Sequence, residues 1–381
     1  MNLMALINKE VWRRQQSITY KSTWQRFHLD PLLLMLVMVL LTVGLLLLYS
    51  AGGQDGEIIV RQGIRVGIAM MVMLICAQIP IQKYRLWIPR LYIGALLLLA
   101  TVLVLGSVAK GAQRWLDFGI LRFQPAEFMK LVLPMMLASY FSYRHLPPDW
   151  RSLLSAGLLI IIPGLLIMLQ PDLGTALVVV LSGFCTLLFA GVSWRLFFGF
   201  FSLIIAALPV LWLTMHDYQR QRLFSFLRPE SDPLGNGYHI IQSKIAIGSG
   251  GLTGKGWLNS TQSQLNFLPE DATDFIFAVL GEEFGLLGCV ILITLFIMVS
   301  TRIFYIASQA QDTFTRLFAS SFGFIFFLSV FINMGMVMGL LPVVGLPLPL
   351  ISYGGTSMVI LMAGFGMVMS IHTQRKFIHL H

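Results

Sequence analysis

Ten stretches of this chain are apolar enough, and long enough, to cross a hydrocarbon layer of about 30 Å, and no other feature restricts its fold as much. They run near 31–49, 63–79, 86–106, 125–142, 152–169, 173–191, 195–214, 274–301, 314–340 and 350–371. A backbone inside a bilayer must satisfy its own polar groups, so runs of this length are helices. Composition agrees: 57% of the residues are apolar, mean hydropathy is +0.80, and 11% are charged. Soluble domains carry roughly 25% charged residues, so a globular fold in water is excluded. The expected fold class is all-α, a polytopic membrane bundle of about ten transmembrane helices.

Residues 1–30 hold Lys9, Arg13, Arg14, Lys21 and Arg26 without a short apolar core and cleavage site. They read as a cytoplasmic tail rather than a signal peptide. The membrane domain then spans 31–372, and 373–381 form a second short tail. Ten spans put both termini on one side, and that side carries 15 of the 26 Lys and Arg. The positive-inside rule makes it cytoplasmic, so residues 216–273 become a large extracytoplasmic loop between spans seven and eight. Cys76, Cys185 and Cys289 lie in apolar runs without metal or CxxC spacing and read as core residues. The seven histidines form no ligand pair. No nucleic-acid partner is expected.

Ionisable residues inside the spans narrow the chemistry, because a charge at mid-membrane costs about 2.5–3.5 kcal/mol and is retained for a partner, a cavity or a function. Glu127 and Lys130 stand three apart in QPAEFMK, on one helical face. They read either as a self-neutralising pair or as part of a site. Asp172, in QPDLGT, follows a helix-breaking proline and reads as a helix cap or as a group facing a wet cavity. Glu282 and Glu283 lie just over two turns beyond Asp274 and read as burial against polar neighbours. Asp274 itself stands where a polar segment meets an apolar run, and on spacing it is a helix cap or a reactive carboxylate.

Two further segments read as cavity walls. KGAQRWLDFGILRFQPAE, 110–127, interleaves Lys110, Arg114 and Arg122 with Trp115, Leu116, Phe118, Ile120 and Phe123, the composition of a membrane-interface stretch. Its cations fit a pyrophosphate lipid or plain snorkelling. LPVVGLPLPLISYGGTS, 341–357, has three prolines and three glycines and is expected to fold back into the bundle. GSGGLTGKG, 248–256, fails the P-loop spacing, having Ser249 where Gly is needed and Gly256 where Ser or Thr is needed. It reads as a tightly turned loop in a cationic segment with Arg220, Arg222, Arg228, Lys244 and Lys255.

YHIIQSKIAIGSGGLTGKGW at 238–257, QSQLNFLPEDATDFIFAVLGEEFG at 262–285 and PLPLISYGGTS at 347–357 occur in the order found in the SEDS family (shape, elongation, division, sporulation). The chain resembles that family from about Pro31 onward, and most closely its RodA-like elongation branch. The resemblance implies an enzyme that polymerises peptidoglycan glycan strands from lipid II in the inner membrane, in the service of cell elongation. It places the essential aspartate at Asp274, within Thr273-Asp274-Phe275. It implies the E-x-x-K pair Glu127 and Lys130, although the family often has Ser where this chain has Ala126. Lipid II is α-linked through pyrophosphate and the polymer is β-1,4-linked, so the transfer inverts. Asp274 is then the candidate base, while Arg122, Glu127, Lys130, Asp172, Lys110, Arg114, Ser352 and Tyr353 are the candidate substrate-binding residues. A divalent cation, magnesium or manganese, on Asp172 or Glu127 would suit the pyrophosphate, although no ligand spacing points to one. The implied partners are a class B penicillin-binding protein that cross-links the strands, and other proteins of the elongation complex. Two other classes compete, a lipid II flippase and a non-catalytic scaffold. A flippase needs charges distributed to both faces, whereas Glu127, Lys130, Asp172 and Asp274 all map to the outer half, and a scaffold needs none of them.

Overall fold

The computed structural model describes residues 27–373, apart from 110–111, 118–121, several residues between 194 and 235, 266, and 268–270. Both tails, Lys110, Arg222 and most of the predicted span 195–214 lie outside the described residues. The helices are α1 Pro31–Ala51, α2 Gly56–Gln78, α3 Ile81–Leu105, α4 Pro125–Ser142, α5 Trp150–Leu169 and α6 Leu173–Phe189. They continue as α7 Asn236–Ser249, α8 Ile276–Ser308, α9 Thr313–Val337 and α10 Thr356–Thr373. All except α7 fall on predicted spans. Seven are long and apolar enough to cross a membrane, and α6 is a shorter apolar helix. The chain is a polytopic membrane bundle. α4 carries Glu127, Lys130 and two prolines, and Pro125, Ala126 and Glu127 at its start are all buried.

The 110–127 stretch departs from expectation. Part of it forms a small antiparallel sheet, in an otherwise all-α chain, in the order β1 Ser107–Ala109, β2 Ala112–Asp117, β3 Arg122–Phe123. The sheet docks through polar contacts. Arg114 Nη2 donates to the Pro171 carbonyl at 2.6 Å, and Thr356 Oγ1 donates to the Arg122 carbonyl at 3.0 Å. It therefore ties the α5–α6 turn to the start of α10, on the face of the bundle where Asp274 also lies.

α9 and α10 occupy the middle of the bundle, with 67% and 61% of their apolar windows buried against 17% for α2. Phe318, Phe322, Phe326 and Phe365 fill that centre, the last two with ring centres 5.4 Å apart. At the end opposite Asp274, buried Asp30 caps α1 through Leu33 N–H and accepts from Arg302 Nε at 3.1 Å and Nη2 at 2.6 Å. That pair clamps α1 to α8.

α8 is broken. Gly285 takes φ 62°, ψ −158°, a region open to glycine alone, and the 250–256 loop fills the gap. Lys255 and Gly256 N–H donate to the carbonyls of Glu282 and Glu283, and Leu286 and Leu287 N–H donate to the carbonyls of Gly251 and Leu252. Every backbone group freed by the break thus finds a partner in the loop.

Candidate active site

The turn 271–275 carries Asp274 and is held by three successive carbonyls. Tyr353 N–H donates to Ala272 O at 2.9 Å, Ser352 Oγ donates to Thr273 O at 2.5 Å, and Asn333 Nδ2 donates to Asp274 O at 2.9 Å. Asn333, fully buried in α9, also donates to Leu346 O at 2.7 Å. Ser352 Oγ accepts from Leu348 N–H at 2.8 Å. The segment 341–355 folds back as its prolines and glycines predict, and its polar groups grip the Asp274 turn. Phe275, not Asp274, holds the N-cap position of α8 and makes no side-chain cap bond. The capping reading of Asp274 by spacing therefore misplaces the helix start by one residue. Asp274 is partly buried, and a side chain at Gly345, where φ is +73°, would come within 3.6 Å of its Oδ2. That distance is ordinary contact, and it is the positive φ that favours glycine there.

Leu346, the residue after Gly345, also lines a neighbouring cleft of about 30 Å³, room for about two waters. Glu127, Lys130 and Leu131 of α4 form one wall, and Ser329 of α9, Pro347, Pro349 and Ser357 form others. Lys130 Nζ lies 2.6 Å from Glu127 Oε1, with both side chains largely buried. The predicted E-x-x-K pair is an ion pair, one segment away from Asp274.

Asp172 caps α6. Its carboxylate accepts from Thr175 N–H at 3.2 Å, Thr175 Oγ1 at 3.0 Å and Gln124 Nε2 at 3.1 Å, and stands 3.7 Å from Arg114 Nε. Arg122 pairs with Asp117 at 3.1 Å and is exposed. The structure thus brings Arg114, Asp172, Arg122, Glu127 and Lys130 together around the start of α4, and sets Asp274, Ser352 and Tyr353 across the folded-back segment. Ser352 has its hydroxyl engaged with backbone, so it positions the turn. Glu127 and Asp172 are each satisfied by protein donors, and among the described residues no three of His, Cys, Asp and Glu gather in a metal-sized group. Glu282, as expected, is buried against polar neighbours, accepting from Lys255 Nζ at 2.6 Å, Ser260, Thr261 and Gln262.

Asn333 and Arg65 escape sequence reasoning. Asn333 is a neutral amide in an apolar run, and its only signal is that buried amides need partners. Arg65, stacked on Tyr353 with its guanidinium carbon 4.2 Å from the ring centre, falls near a span end, where arginines commonly snorkel.

Comparison with known proteins follows the same residues. Residues 30–377 match the family model FtsW/RodA/SpoVE, described as cell cycle protein. The peptidoglycan glycosyltransferase MrdB of Escherichia coli K12 is 52% identical over 359 residues, covering 94% of this chain and 97% of MrdB. A chain from a peptidoglycan synthase complex whose structure concerns coordination of polymerization and crosslinking superposes with a TM-score of 0.80 at 33% identity, covering 90% of this chain and 97% of that one. The rod shape determining protein RodA of Thermus thermophilus superposes at 0.69 with 30% identity, covering 90% and 96%. By the extent of the match and by the order of its motifs, this chain belongs to the FtsW/RodA/SpoVE family of cell cycle proteins.

Proposed function

We propose that the chain is a peptidoglycan glycan-strand polymerase of the elongation type, an inverting glycosyltransferase that uses lipid II at the outer face of the inner membrane with both its termini in the cytoplasm. The observation that carries this is the Asp274 turn, fixed by Tyr353, Ser352 and Asn333 beside a cleft that holds Lys130. A carboxylate on a rigid turn next to cations is what glycosyl transfer from a pyrophosphate requires. Inversion in a single displacement needs a base and no covalent enzyme intermediate. Asp274 takes the proton of the acceptor sugar hydroxyl as its oxygen bonds the anomeric carbon of the donor. The carbon–oxygen bond to pyrophosphate breaks, and the electron pair leaves with the lipid pyrophosphate. That group needs no proton, only positive charge, which Lys130, Arg122 and Arg114 offer from the start of α4. No step requires a metal cage in the protein. A class B penicillin-binding protein is the proposed partner, supported by the likeness to a synthase complex that coordinates polymerization and crosslinking. Other elongation proteins would join them.

A flippase is disfavoured by the aromatic centre of the bundle. Phe318, Phe322, Phe326 and Phe365 pack in the centre of the bundle, and Glu127, Lys130 and Asp172 gather around the start of α4 rather than being distributed to both ends. Purified protein in vesicles, given fluorescent lipid II and its transpeptidase partner, separates the readings. Polymerisation predicts long glycan products and no transbilayer movement of the lipid. Movement without polymer would establish the flippase, and neither would leave the scaffold.

A further inference from the structure

Arg65 is a cation that neither the fold nor the reaction above employs. It stands nine residues past the start of α2 at Gly56, about 14 Å along the axis at about 1.5 Å per residue. Several other cations of the bundle are paired with carboxylates. Lys130 lies 2.6 Å from Glu127, Lys255 2.6 Å from Glu282, Arg302 2.6 Å from Asp30 and Arg114 3.7 Å from Asp172. Arg65 is partly buried, and no carboxylate among the described residues comes within ion-pair distance of it. Its charge rests instead on the Tyr353 ring, at 4.2 Å, and a Cβ built at Gly355 would meet its Cδ and Nε at 3.7 Å.

Its surroundings tie it to the site. Tyr353 donates its N–H to Ala272 O, two residues before Asp274, and Thr356 donates to the carbonyl of Arg122. One turn back, on the same helical face, Gln62 is 1% exposed. Its Nε2 reaches Met358 Sδ at 3.9 Å, and its Oε1 has no partner among the described residues. A guanidinium without a counter-ion and a buried acceptor without a donor therefore face one segment, the segment that grips the Asp274 turn. The planar fork of arginine matches phosphate oxygens, and stacking on an aromatic ring holds it flat for that purpose.

We propose that Arg65 binds the phosphate oxygens of a lipid-linked substrate, held flat by Tyr353. The proposal rests on the glycosyl-transfer reading. Both partners in strand extension carry a lipid pyrophosphate, so two anions must be held at once. The cations around the start of α4 serve one, and Arg65, across the folded-back segment, serves the other.

The test uses full-length protein with its transpeptidase partner, in vesicles of phosphatidylcholine alone and in vesicles with added phosphatidylglycerol. Wild type, Arg65→Gln and Arg65→Lys are compared in lipid II polymerisation. Arg65→Gln should raise KM for lipid II about tenfold in both vesicles with a much smaller change in kcat, and Arg65→Lys should recover part of it. If wild type responds to phosphatidylglycerol and Arg65→Gln loses only that response, the phosphate bound is a bulk phospholipid's and the substrate assignment is overturned. An unchanged KM with a lowered unfolding temperature overturns it too, leaving Arg65 as a prop for Tyr353. A wild type that makes no polymer in either vesicle would overturn the glycosyl-transfer reading and this proposal with it.

Discussion

Lys130 and Glu127 show how a single residue's role divides into structure and chemistry. Each is the other's counter-ion at 2.6 Å in a largely buried cleft, so removing Lys130 alone strands a carboxylate. Lys130→Met should therefore lose both membrane level and polymer. The double variant Glu127→Gln with Lys130→Met removes the stranded charge, so it should recover the level in the membrane, by immunoblot, yet still make no glycan. Recovery of glycan synthesis by the double variant would show the pair to be structural only. The pair was legible in the sequence because two opposite charges three apart in an apolar run need an explanation. Asp172 was legible only in part. Its cap on α6 follows from the break at Pro171, but its contacts with Arg114 and Gln124 come from a sheet and a helix start about fifty to sixty residues earlier. Ser352 was legible as a site residue and not as one whose hydroxyl serves backbone, since that depends on where a proline-rich segment turns.

At the scale of elements, apolar runs announce the helices, and prolines with glycines announce the folded-back segment. The break in α8 is silent, because a single Gly285 in an apolar run has the appearance of any helical glycine. Its φ of 62° and ψ of −158° place it where other residues are strained by about 1–3 kcal/mol, and a Cβ there would stand 2.8 Å from the carbonyl atoms of Leu252. Gly285→Ala should displace the 250–256 loop and lower stability by at least that amount. Limited proteolysis of membranes should then cut near Lys255, which is protected in wild type by its bond to buried Glu282. Equal cleavage rates would mean that the loop does not depend on the break. The sheet β1–β3 was also missed. Its strands are two to six residues long, too short for periodicity to outweigh the interfacial composition around them.

Across the whole molecule, the account requires one orientation and one chemistry. The excess of Lys and Arg on the side of the termini predicts that Asp274 lies outside. A periplasm-active reporter fused after Ser249 should be active, and one fused after Leu380 inactive. The opposite pattern would invert the bundle and remove Asp274 from its substrate. The chemistry rests on one carboxylate. Asparagine preserves the shape of residue 274 and leaves intact the carbonyl that accepts from Asn333, so Asp274→Asn should accumulate in the membrane and engage its transpeptidase as wild type does. It cannot take a proton. The decisive measurement is the rate of glycan synthesis from lipid II by purified Asp274→Asn with its partner. A fall of about 10²- to 10⁴-fold is predicted for loss of a general base, and synthesis at close to the wild-type rate would contradict the catalytic assignment.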